Sequence, residues 1–363
     1  MAPRSRDAAG LQGTVGTRGS VECLALTAPG LGPLLREELW ERAGAEQVGR
    51  VENDGRSDVV PFSIPAGRSL PRLRLAEEVL AQVGWARGEL PLPCLVARLW
   101  DDARFLRTLT ALPSRRRGRS HTFRVVTRLT SERRFLRTQF RDRLVGAILR
   151  SRPRWRQADP ARFELWALQT GRATYRLGLR LDEGPGARPV ERPGALRPAL
   201  AAALVRLAGQ PGRPLLDPCC GSGTVVGEAL AVGLKAIGAD RSWDGIWAAR
   251  LNLPARTCLV AADATHLPFP RHALGAVVTN LPFGRRYRVA GEHAAWLARA
   301  FAEFLRVVEP GGRIVLLHPH SSAFELGVLS EHRGRLRWRR PVALLGLPAT
   351  IWVFDTPGPL DRG

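Results

Sequence analysis

The sequence predicts an α/β protein in which a largely parallel sheet in the C-terminal half follows a smaller α+β region. Three observations support this prediction. From residue 200 onward, near-continuous apolar strands alternate with helical patterns, which is typical of a parallel sheet covered on both faces. The last two strands are separated by only a short turn, so we expect them to be antiparallel. The first half of the chain mixes strands with amphipathic helices instead.

The composition indicates a folded, strongly basic protein. The chain has 363 residues, enough for two to three domains at about 150 residues each, and 45% of them are apolar, which excludes disorder throughout. Lys and Arg total 55 against 33 Asp and Glu, giving a net charge of +22. Lys235 is the only lysine, a bias that explains arginine over lysine but not the excess of basic residues. This excess predicts a polyanionic partner, with nucleic acid as the first candidate.

Cysteine usage and hydropathy restrict the class of protein further. The five cysteines form no Cys-x-x-Cys pair and their number is odd, which disfavours both a disulfide scaffold and a zinc ribbon. No run of about 18 apolar residues is present, and the first residues lack the apolar core of a signal peptide. We therefore expect a cytoplasmic protein with no membrane partner. The oligomeric state stays open, with a monomer slightly favoured.

The N-terminal region begins with a polar, glycine-rich segment, residues 1–20, that we expect to be a flexible tail. ECLALT then predicts a strand, and leucines at helical spacing predict a helix that ends near Gly44. A second helix is predicted over Leu73–Trp85, in the run LRLAEEVLAQVGW. Residues 21–112 are therefore expected to form an α+β unit.

Positive charge is concentrated in Arg115–Arg156, where 15 arginines face only two acidic residues. Within this stretch TFRVVTRLT predicts a strand and Ser131 is a candidate cap for the helix that follows. The apolar stripe of that helix contains Phe140, Leu144 and Ile148. Two further strands joined at Gly171 complete a compact module over residues 113–182. The glycines and prolines of residues 183–198 predict a linker.

The C-terminal region, residues 199–356 before a short tail at 357–363, has the pattern of a parallel sheet. The predicted parallel strands are PLLD, KAIGA, CLVAA, LGAVVT and RIVLLH. RWRRPVALLG and ATIWVFD then form the closing antiparallel hairpin. An open parallel sheet with such an ending differs from a dehydrogenase sheet and is typical of a Rossmann-like methyltransferase domain.

The run LLDPCCGSGT predicts a small-molecule pocket at the end of the first of these strands. Its Gly-Ser-Gly turn allows a ligand to approach the backbone, and the helix that follows offers free N–H groups. Position 226 is valine rather than the third glycine of a pyrophosphate-binding turn, which favours a ligand without phosphates. Asp240 closes the second strand, where a carboxylate can hold ribose hydroxyls or merely cap the next helix. Asp263 closes the third and can bind an adenine amino group or belong to an ordinary turn.

These strand-end acids and the glycine turn together predict a pocket for S-adenosylmethionine. The predicted cofactor-binding residues are Asp217, Cys219, Gly221, Ser222, Gly223, Thr224, Asp240, Asp263, Ala264 and Asn280.

The end of the fourth strand, TNLPFGRRY, predicts the chemistry. The carboxamide oxygen of Asn280 and the carbonyl of Leu281 can accept both hydrogens of an exocyclic amino group. Phe283, after the rigid Pro282, can stack on the base. Orientation of the amine toward a sulfonium methyl would then promote transfer without a strong base. In isolation the same four residues also fit an ordinary proline turn at a strand end.

LLDPCCGSGT and TNLPFGRR, preceded by RPGALRPALAAALVRLAG, resemble the methyltransferases that carry an N-terminal THUMP domain and methylate the N2 amino group of guanine in RNA, chiefly tRNA. The resemblance covers residues 21–356. ALTAPGLGPLLREEL is similar to the family's ferredoxin-like element, and HTFRVVTRLTSERRFLRTQFRDRLVGAIL with ATYRLGLRL is similar to its THUMP module. The chain departs from the family at Leu281, where proline is commoner, and at Cys219, where an aromatic residue is frequent.

The resemblance implies that the THUMP module binds the 3′ end of the acceptor stem, with arginines on phosphates. The candidate RNA-binding residues are Arg115, Arg116, Arg117, Arg119, Arg133, Arg134, Arg137, Arg285 and Arg286. The last two follow Phe283 and are equally well explained as solvated loop charges.

The predicted function is S-adenosylmethionine-dependent methylation of a guanosine N2 in tRNA, in the acceptor stem. Two alternatives stay open, an adenine-N6 methyltransferase of RNA or DNA and an inactive RNA-binding protein. A cytosine-C5 mechanism is excluded because no cysteine follows the fourth strand. His318 and His320 lie at a strand end without accompanying carboxylate or cysteine ligands, so no metal site is predicted.

Overall fold

The computed structural model describes residues 19–113, 121–129, 135–181, 190, 194–283, 290–344 and 347–358. Most of the predicted N-terminal tail and linker, and the predicted Ser131 cap, lie outside the described residues. The chain divides into two compact units, Met1–Gly184 and Pro185–Gly363.

A nine-stranded sheet forms the first unit. Its strands are β1 (Ser20–Thr27), β2 (Gln47–Val48), β3 (Glu52–Asn53), β4 (Asp58–Pro65), β5 (Glu78–Arg87), β6 (Thr122–Arg128), β7 (Arg156–Gln157), β8 (Phe163–Thr170) and β9 (Thr174–Arg180). The order is β2-β4-β1-β5-β9-β8-β6-β7, with β3 beside β4. Antiparallel pairing of β5 with β9, in which Leu80 faces Arg180, joins the segments 21–112 and 113–182 into one sheet.

The helices described in this unit are α1 (Gly32–Glu38), α2 (Leu92–Leu99), α3 (Asp102–Ala111) and α4 (Arg137–Ser151). A π-helical turn extends α1 to Ala43, and Gly44 ends it with a φ of +56°, at the predicted position. The predicted stripe of α4 is confirmed, because Phe140, Leu144 and Ile148 are fully buried. They belong to one apolar cluster with residues of β5, β6, β8 and β9, so this stripe attaches α4 to the sheet.

The predicted helix over Leu73–Trp85 is wrong, because these residues lead into and largely form strand β5. β5 lies between β1 and β9 and its residues from Val79 to Val83 are mostly buried, so it lacks the alternation of a half-exposed strand. A side chain at Gly84 would also collide with the Leu99 carbonyl oxygen. Long-range pairing therefore overrides the helical preference of Leu, Ala and Glu.

A seven-stranded sheet forms the second unit, and it confirms the predicted fold class. Its strands are β10 (Leu215–Asp217), β11 (Ala236–Asp240), β12 (Cys258–Ala261), β13 (Leu274–Asn280), β14 (Val308–His318), β15 (Leu336–Leu344) and β16 (Leu347–Asp355). The order is β12-β11-β10-β13-β14-β16-β15. β10 to β14 are parallel, whereas β16 is antiparallel to both β14 and β15.

The strand order reverses at β10, which pairs with β11 on one side and β13 on the other. A crevice opens outside the carboxyl ends of the strands at such a point. The helices of this unit are α5 (Pro198–Ala208), α6 (Thr224–Ala231), α7 (Trp243–Asn252), α8 (Ala290–Val307), α9 (Ser322–Phe324) and α10 (Ser330–His332). Within the described ranges, none of the helices has the length and apolar character needed to cross a membrane.

Candidate active site

The turn between β10 and α6 needs glycine at two positions. Gly221 has a φ of +50° and Gly223 a φ of +83°, both in the left-handed region. A Cβ on Gly223 would also lie 2.7 Å from Cδ1 of Leu253. The turn closes with a hydrogen bond of 2.8 Å from the Gly223 N–H to the Cys220 carbonyl. Local sequence therefore determines the path of the backbone here.

Asp240 joins the end of β11 to this turn. One carboxylate oxygen accepts the Gly221 N–H and the other the Ser242 N–H, both at 2.8 Å. The carboxylate therefore holds the glycine turn through Gly221 as well as Ser242, the residue before α7. Each oxygen keeps a second lone pair, so the group can still accept hydroxyl hydrogens from a ligand.

Asp217, at the end of β10, is buried and accepts the Cys219 N–H at 3.1 Å. Burial raises its pKa to about 7, and the negative charge of Asp240 acts in the same direction. The Cys219 N–H and the nearby Thr279 hydroxyl oppose this shift. The Thr279 hydroxyl is close enough to influence this pKa, but among the described residues it forms no hydrogen bond of normal geometry. An approaching cation would favour the charged form of Asp217.

The pKa of Asp263 is shifted in the opposite direction to that of Asp217. Partial burial raises its pKa, but hydrogen bonds from the Thr265 N–H at 2.9 Å and hydroxyl at 2.8 Å lower it below its ordinary value overall. Both bonds go to Oδ1, while Oδ2 lies 3.9 Å from the exposed Arg241. Asp263 is therefore charged at neutral pH, and the adjacent Ala264 is buried.

The remaining residues of the glycine turn are polar or chemically inert. Ser222 is buried, and within the described part of the chain its hydroxyl has no hydrogen-bond partner. Thr224 begins α6, whose N-terminus has no side-chain cap. Burial raises the pKa values of the Cys219 and Cys220 thiols above their usual range, so neither is a thiolate nucleophile.

Asn280 ends β13, directly beside β10. Its carboxamide oxygen is buried and has no hydrogen-bond partner among the residues that the structure describes. The Leu281 N–H donates to the Leu317 carbonyl at 3.1 Å, and the Leu281 side chain lies in the core. Pro282 is exposed and Phe283 half-buried. The segment thus combines the buried side chain of Leu281, the carboxamide oxygen of Asn280 as a free acceptor among the described residues, and the partly accessible ring of Phe283.

Two histidines that contact this segment were not predicted as site residues. His293 on α8 donates to the Pro282 carbonyl at 3.2 Å, and the ring of His318 at the end of β14 lies 5.6 Å from that of Phe283. The sequence places His318 at a strand end, but there it was considered only as a possible metal ligand. His293 gave no signal, since its contact depends on how α8 packs.

Of the candidate RNA-binding arginines, the described residues include only Arg137, in the first turn of α4. It borders a cleft of about 550 Å³ in the first unit. Polar lining residues of this cleft include Arg124, Thr138, Arg141, Gln157 and Asp159. The other eight arginines, including Arg285 and Arg286, lie outside the described residues.

Comparison with known proteins gives the class to which this architecture belongs. Residues 185–337 match the family described as RMKL-like, methyltransferase domain (UPF0020). A tRNA (guanine(10)-N2)-dimethyltransferase of Methanothermobacter thermautotrophicus is 32% identical over 161 residues, or 43% of this chain and 47% of the relative. A tRNA (guanine(6)-N2)-methyltransferase of Thermus thermophilus is 35% identical over 161 residues, which are 39% of this chain and 45% of the relative. The matches thus span just under half the length of these relatives.

Similarity to a solved structure extends over nearly the whole chain. The crystal structure of TrmN from Thermus thermophilus has a TM-score of 0.71 and 26% identity, covering 93% of this chain and 99% of that one. The second unit is therefore an S-adenosylmethionine-dependent methyltransferase domain, as its sheet order and glycine turn indicate. The match of residues 185–337 to this methyltransferase family, together with guanine-N2 methyltransferases of tRNA among the relatives, confirms the resemblance found in the sequence.

The pocket residues fit the cofactor of this class. The Ser222 hydroxyl and the Asn280 carboxamide oxygen are buried without hydrogen-bond partners in the described ranges, and the left-handed glycines keep side chains away from the turn. The carboxylates of Asp217, Asp240 and Asp263 follow three strands at the same edge of the sheet. Contacts between these residues and the cofactor remain predictions.

Proposed function

We propose that the protein is a tRNA guanine-N2 methyltransferase that acts in the cytoplasm on the acceptor stem. The buried, unpaired carboxamide oxygen of Asn280 carries this proposal. An acceptor without a partner at the end of β13 is suited to the N–H of an exocyclic amine. The printed functions of the two curated relatives, both guanine-N2 methylation of tRNA, support the same chemistry.

The cofactor would be held by the residues of the glycine turn and the three strand-end carboxylates. Asp240 and Asp263 would accept hydrogen bonds from the ribose and adenine, and the negative charge of Asp217 would face the cationic part. When bound, S-adenosylmethionine supplies an electrophilic sulfonium methyl group.

The protein's own contribution to catalysis is orientation. The Asn280 oxygen and the Leu281 carbonyl each accept one hydrogen of the guanine amine, and the Phe283 ring stacks on the base. This arrangement turns the nitrogen lone pair away from the heterocycle and toward the methyl group. The hydrogen bonds that the amine N–H groups donate strengthen as the nitrogen becomes cationic, so they favour the transition state over the bound substrate. The methylated nitrogen then releases one proton, which leaves the neutral product.

The first unit would bind the RNA. Its cleft is lined by Arg124, Arg137 and Arg141, and Arg137 forms no ion pair with other described residues. Arg124 is neutralised by Asp159 and Glu164, which leaves the α4 side of the cleft the more available for phosphate. By resemblance to THUMP modules, this surface would contact the 3′ end of the acceptor stem.

The position of the target is proposed from the relatives. One is named for guanine 6 of tRNA and the other for guanine 10. Likeness to the Thermus TrmN structure over 93% of this chain shows that the similarity includes the first unit as well as the methyltransferase domain.

Incubation of the purified protein with unmodified tRNA and isotopically labelled S-adenosylmethionine tests the proposal. Mass spectrometry of the digested nucleosides should show labelled N2-methylguanosine or its dimethyl form, and analysis of nuclease fragments should place it in the acceptor stem. Labelled N6-methyladenosine would establish the alternative enzyme class. Cofactor binding and RNA binding without any labelled nucleoside would indicate an inactive RNA-binding protein.

A further inference from the structure

Two buried histidines from different elements meet at the segment that follows Asn280. His293 lies on the first turns of α8 and His318 at the end of β14, and their ring centroids are 5.5 Å apart. His293 Nε2 lies 3.2 Å from the Pro282 carbonyl oxygen. The ring of His318 meets that of Phe283 edge-to-face, with centroids 5.6 Å apart and an interplanar angle of 79°.

The hydrogen-bond partners fix the tautomer of each ring. A carbonyl oxygen only accepts hydrogen bonds, so the Nε2 of His293 carries a hydrogen. For the same reason the Nδ1 of His318, 2.7 Å from the Pro319 carbonyl, carries the hydrogen of that ring. Burial lowers the pKa of His293 and brings that of His318 to about 4, so both rings are neutral at neutral pH.

His318 is itself held rigidly by the core. Its ring stacks on Phe324 at 5.0 Å with an interplanar angle of 19°, and Phe324 packs on Trp352 at 4.9 Å. The Trp352 indole N–H donates to the His318 carbonyl at 3.0 Å. These contacts define where an aromatic ring next to His318 can lie, so the core constrains Phe283.

We propose that His293 and His318 are positioning residues that hold the Pro282 carbonyl and the Phe283 ring in the orientation needed to receive the target base. His293 fixes the backbone by its hydrogen bond, and His318 fixes the ring by its edge-to-face contact. Both act through the segment Asn280–Phe283. This role rests on the proposed function, because a stacking ring and an amide acceptor need a common orientation only if they bind the same base.

The energetic reason is the sensitivity of transfer to geometry. A displacement of about 1 Å at a reacting group can reduce a rate roughly a hundredfold without preventing binding. Pro282 is exposed, and the hydrogen bond from His293 restrains its carbonyl from the side of α8. Loss of this bond should therefore alter turnover more than affinity.

The test compares three variants of the full-length protein. His293→Leu removes the donor, whereas His293→Gln keeps an N–H that can reach the Pro282 carbonyl. His272→Asn is the matched control, because His272 also donates from its ring to a backbone carbonyl, that of Val308 at 3.0 Å, at the opposite end of β13 and β14. Asparagine tolerates the left-handed φ of +57° at this position.

The expected results separate positioning from mere stabilisation. With saturating cofactor and tRNA, single-turnover methylation by His293→Leu should fall about tenfold or more, while tRNA affinity stays within about twofold of wild type. His293→Gln should recover most of the rate, and His272→Asn should keep it. Hydrogen exchange of the peptide containing Asn280–Phe283 should be faster in His293→Leu alone.

Wild-type rates of both methylation and exchange in a folded His293→Leu protein would overturn the proposal, as would equal losses in the leucine and glutamine variants. If His293→Leu does not fold, His293→Asn replaces it, since its amide is too short to reach Pro282. If the wild-type protein methylates no guanine, the proposed function fails on its own. Hydrogen exchange then still decides whether His293 orders the segment.

Discussion

The unpaired acceptor of Asn280 is unusual among buried polar atoms. A buried polar group without a partner destabilises a protein by about 1 to 3 kcal/mol, so most such groups are hydrogen-bonded. Its neighbour Leu281 donates its N–H to the Leu317 carbonyl and buries its side chain in the core. The strand end is therefore rigid at Leu281, while the adjacent carboxamide remains available for a ligand.

Asn280→Ala should reduce single-turnover methylation by roughly a hundredfold, comparable with the loss of one preorganised polar group in other active sites. Because the oxygen has no hydrogen-bond partner among the described residues, the melting temperature should not fall, and the affinity for tRNA should stay near wild type. Asn280→Asp keeps an acceptor and should retain more activity than the alanine variant. Methylation of guanine at the wild-type rate by folded Asn280→Ala would refute the amino-group mechanism.

Asp217 and His318 affect stability in opposite directions as the pH changes. The pKa of Asp217 rises from 3.8 to about 7 on folding, so its contribution to stability is full below pH 3.8 and is lost as the pH rises toward 7. The pKa of His318 falls from 6.5 to about 4, so its contribution is present above pH 6.5 and is lost as the pH falls toward 4.

Asp217→Asn should therefore stabilise the cofactor-free protein above neutral pH. The asparagine oxygen can still accept the Cys219 N–H, and the variant removes a buried charge whose shift corresponds to roughly 4 kcal/mol. Urea unfolding at about pH 8 should show the gain, and the difference from wild type should shrink as the pH approaches 4. Cofactor affinity should fall at the same time. Equal unfolding free energies at both pH values would show that the charge of Asp217 is tolerated.

The turn between β10 and α6 allows the effects of backbone conformation and packing to be separated. Gly223 in the turn and Gly233 after α6 have the same φ of +83°. A Cβ at Gly223 would contact Leu253 at 2.7 Å, whereas one at Gly233 would meet nothing within 4 Å. Replacement by alanine costs about 1 to 2 kcal/mol at either position because of the left-handed backbone, and only Gly223 adds a steric clash.

Gly223→Ala should thus destabilise the protein by more than Gly233→Ala and should also weaken cofactor binding. Calorimetric titration with S-adenosylmethionine and thermal unfolding of both variants measure these effects. Equal destabilisation, with cofactor affinity unchanged in both, would mean that Leu253 moves aside and that the turn tolerates a side chain.

Elements whose signals are local were predictable from the sequence. The glycine turn, the apolar stripe of α4 and the closing hairpin each depend on residues close together in the chain. β5 was not predictable, because its strand conformation depends on partners as distant as Arg180. β4 was missed for a related reason: it contains Pro61 and Pro65, which normally disfavour a strand, yet it pairs with β1 along its whole length.

In the candidate site, too, residues with local signals were predictable, whereas contacts that depend on packing were not. The strand-end acids and Asn280 could be predicted because parallel strands bring their carboxyl ends to one edge of a sheet. The contact between His293 and Pro282 could not, since it depends on the packing of α8 against the strand ends. Similarly, the sequence shows that Asp240 ends a strand but not that it holds the Gly221 N–H.

At the scale of the whole molecule, the net charge of +22 should dominate RNA binding. Arginines that neutralise phosphates release counterions, so affinity falls with salt in proportion to the number of contacts. With about five phosphate contacts, the affinity of the full-length protein for tRNA should fall on the order of a hundredfold between 50 and 200 mM salt.

The slope of affinity against salt concentration shows which individual arginines contact phosphate. Arg137→Gln should lower the slope by about one contact, and Arg141→Gln by less, because both line the cleft but Arg141 also forms an ion pair with Asp142 at 3.3 Å. Arg107→Gln is the matched control, since Arg107 is exposed on α3 of the same unit and does not line the cleft. Filter-binding measurements at several salt concentrations give the slopes. A flat salt response of the wild-type protein would mean that the arginine excess only solvates the surface. An equal change in slope for all three variants would mean that the phosphate contacts are not confined to the cleft.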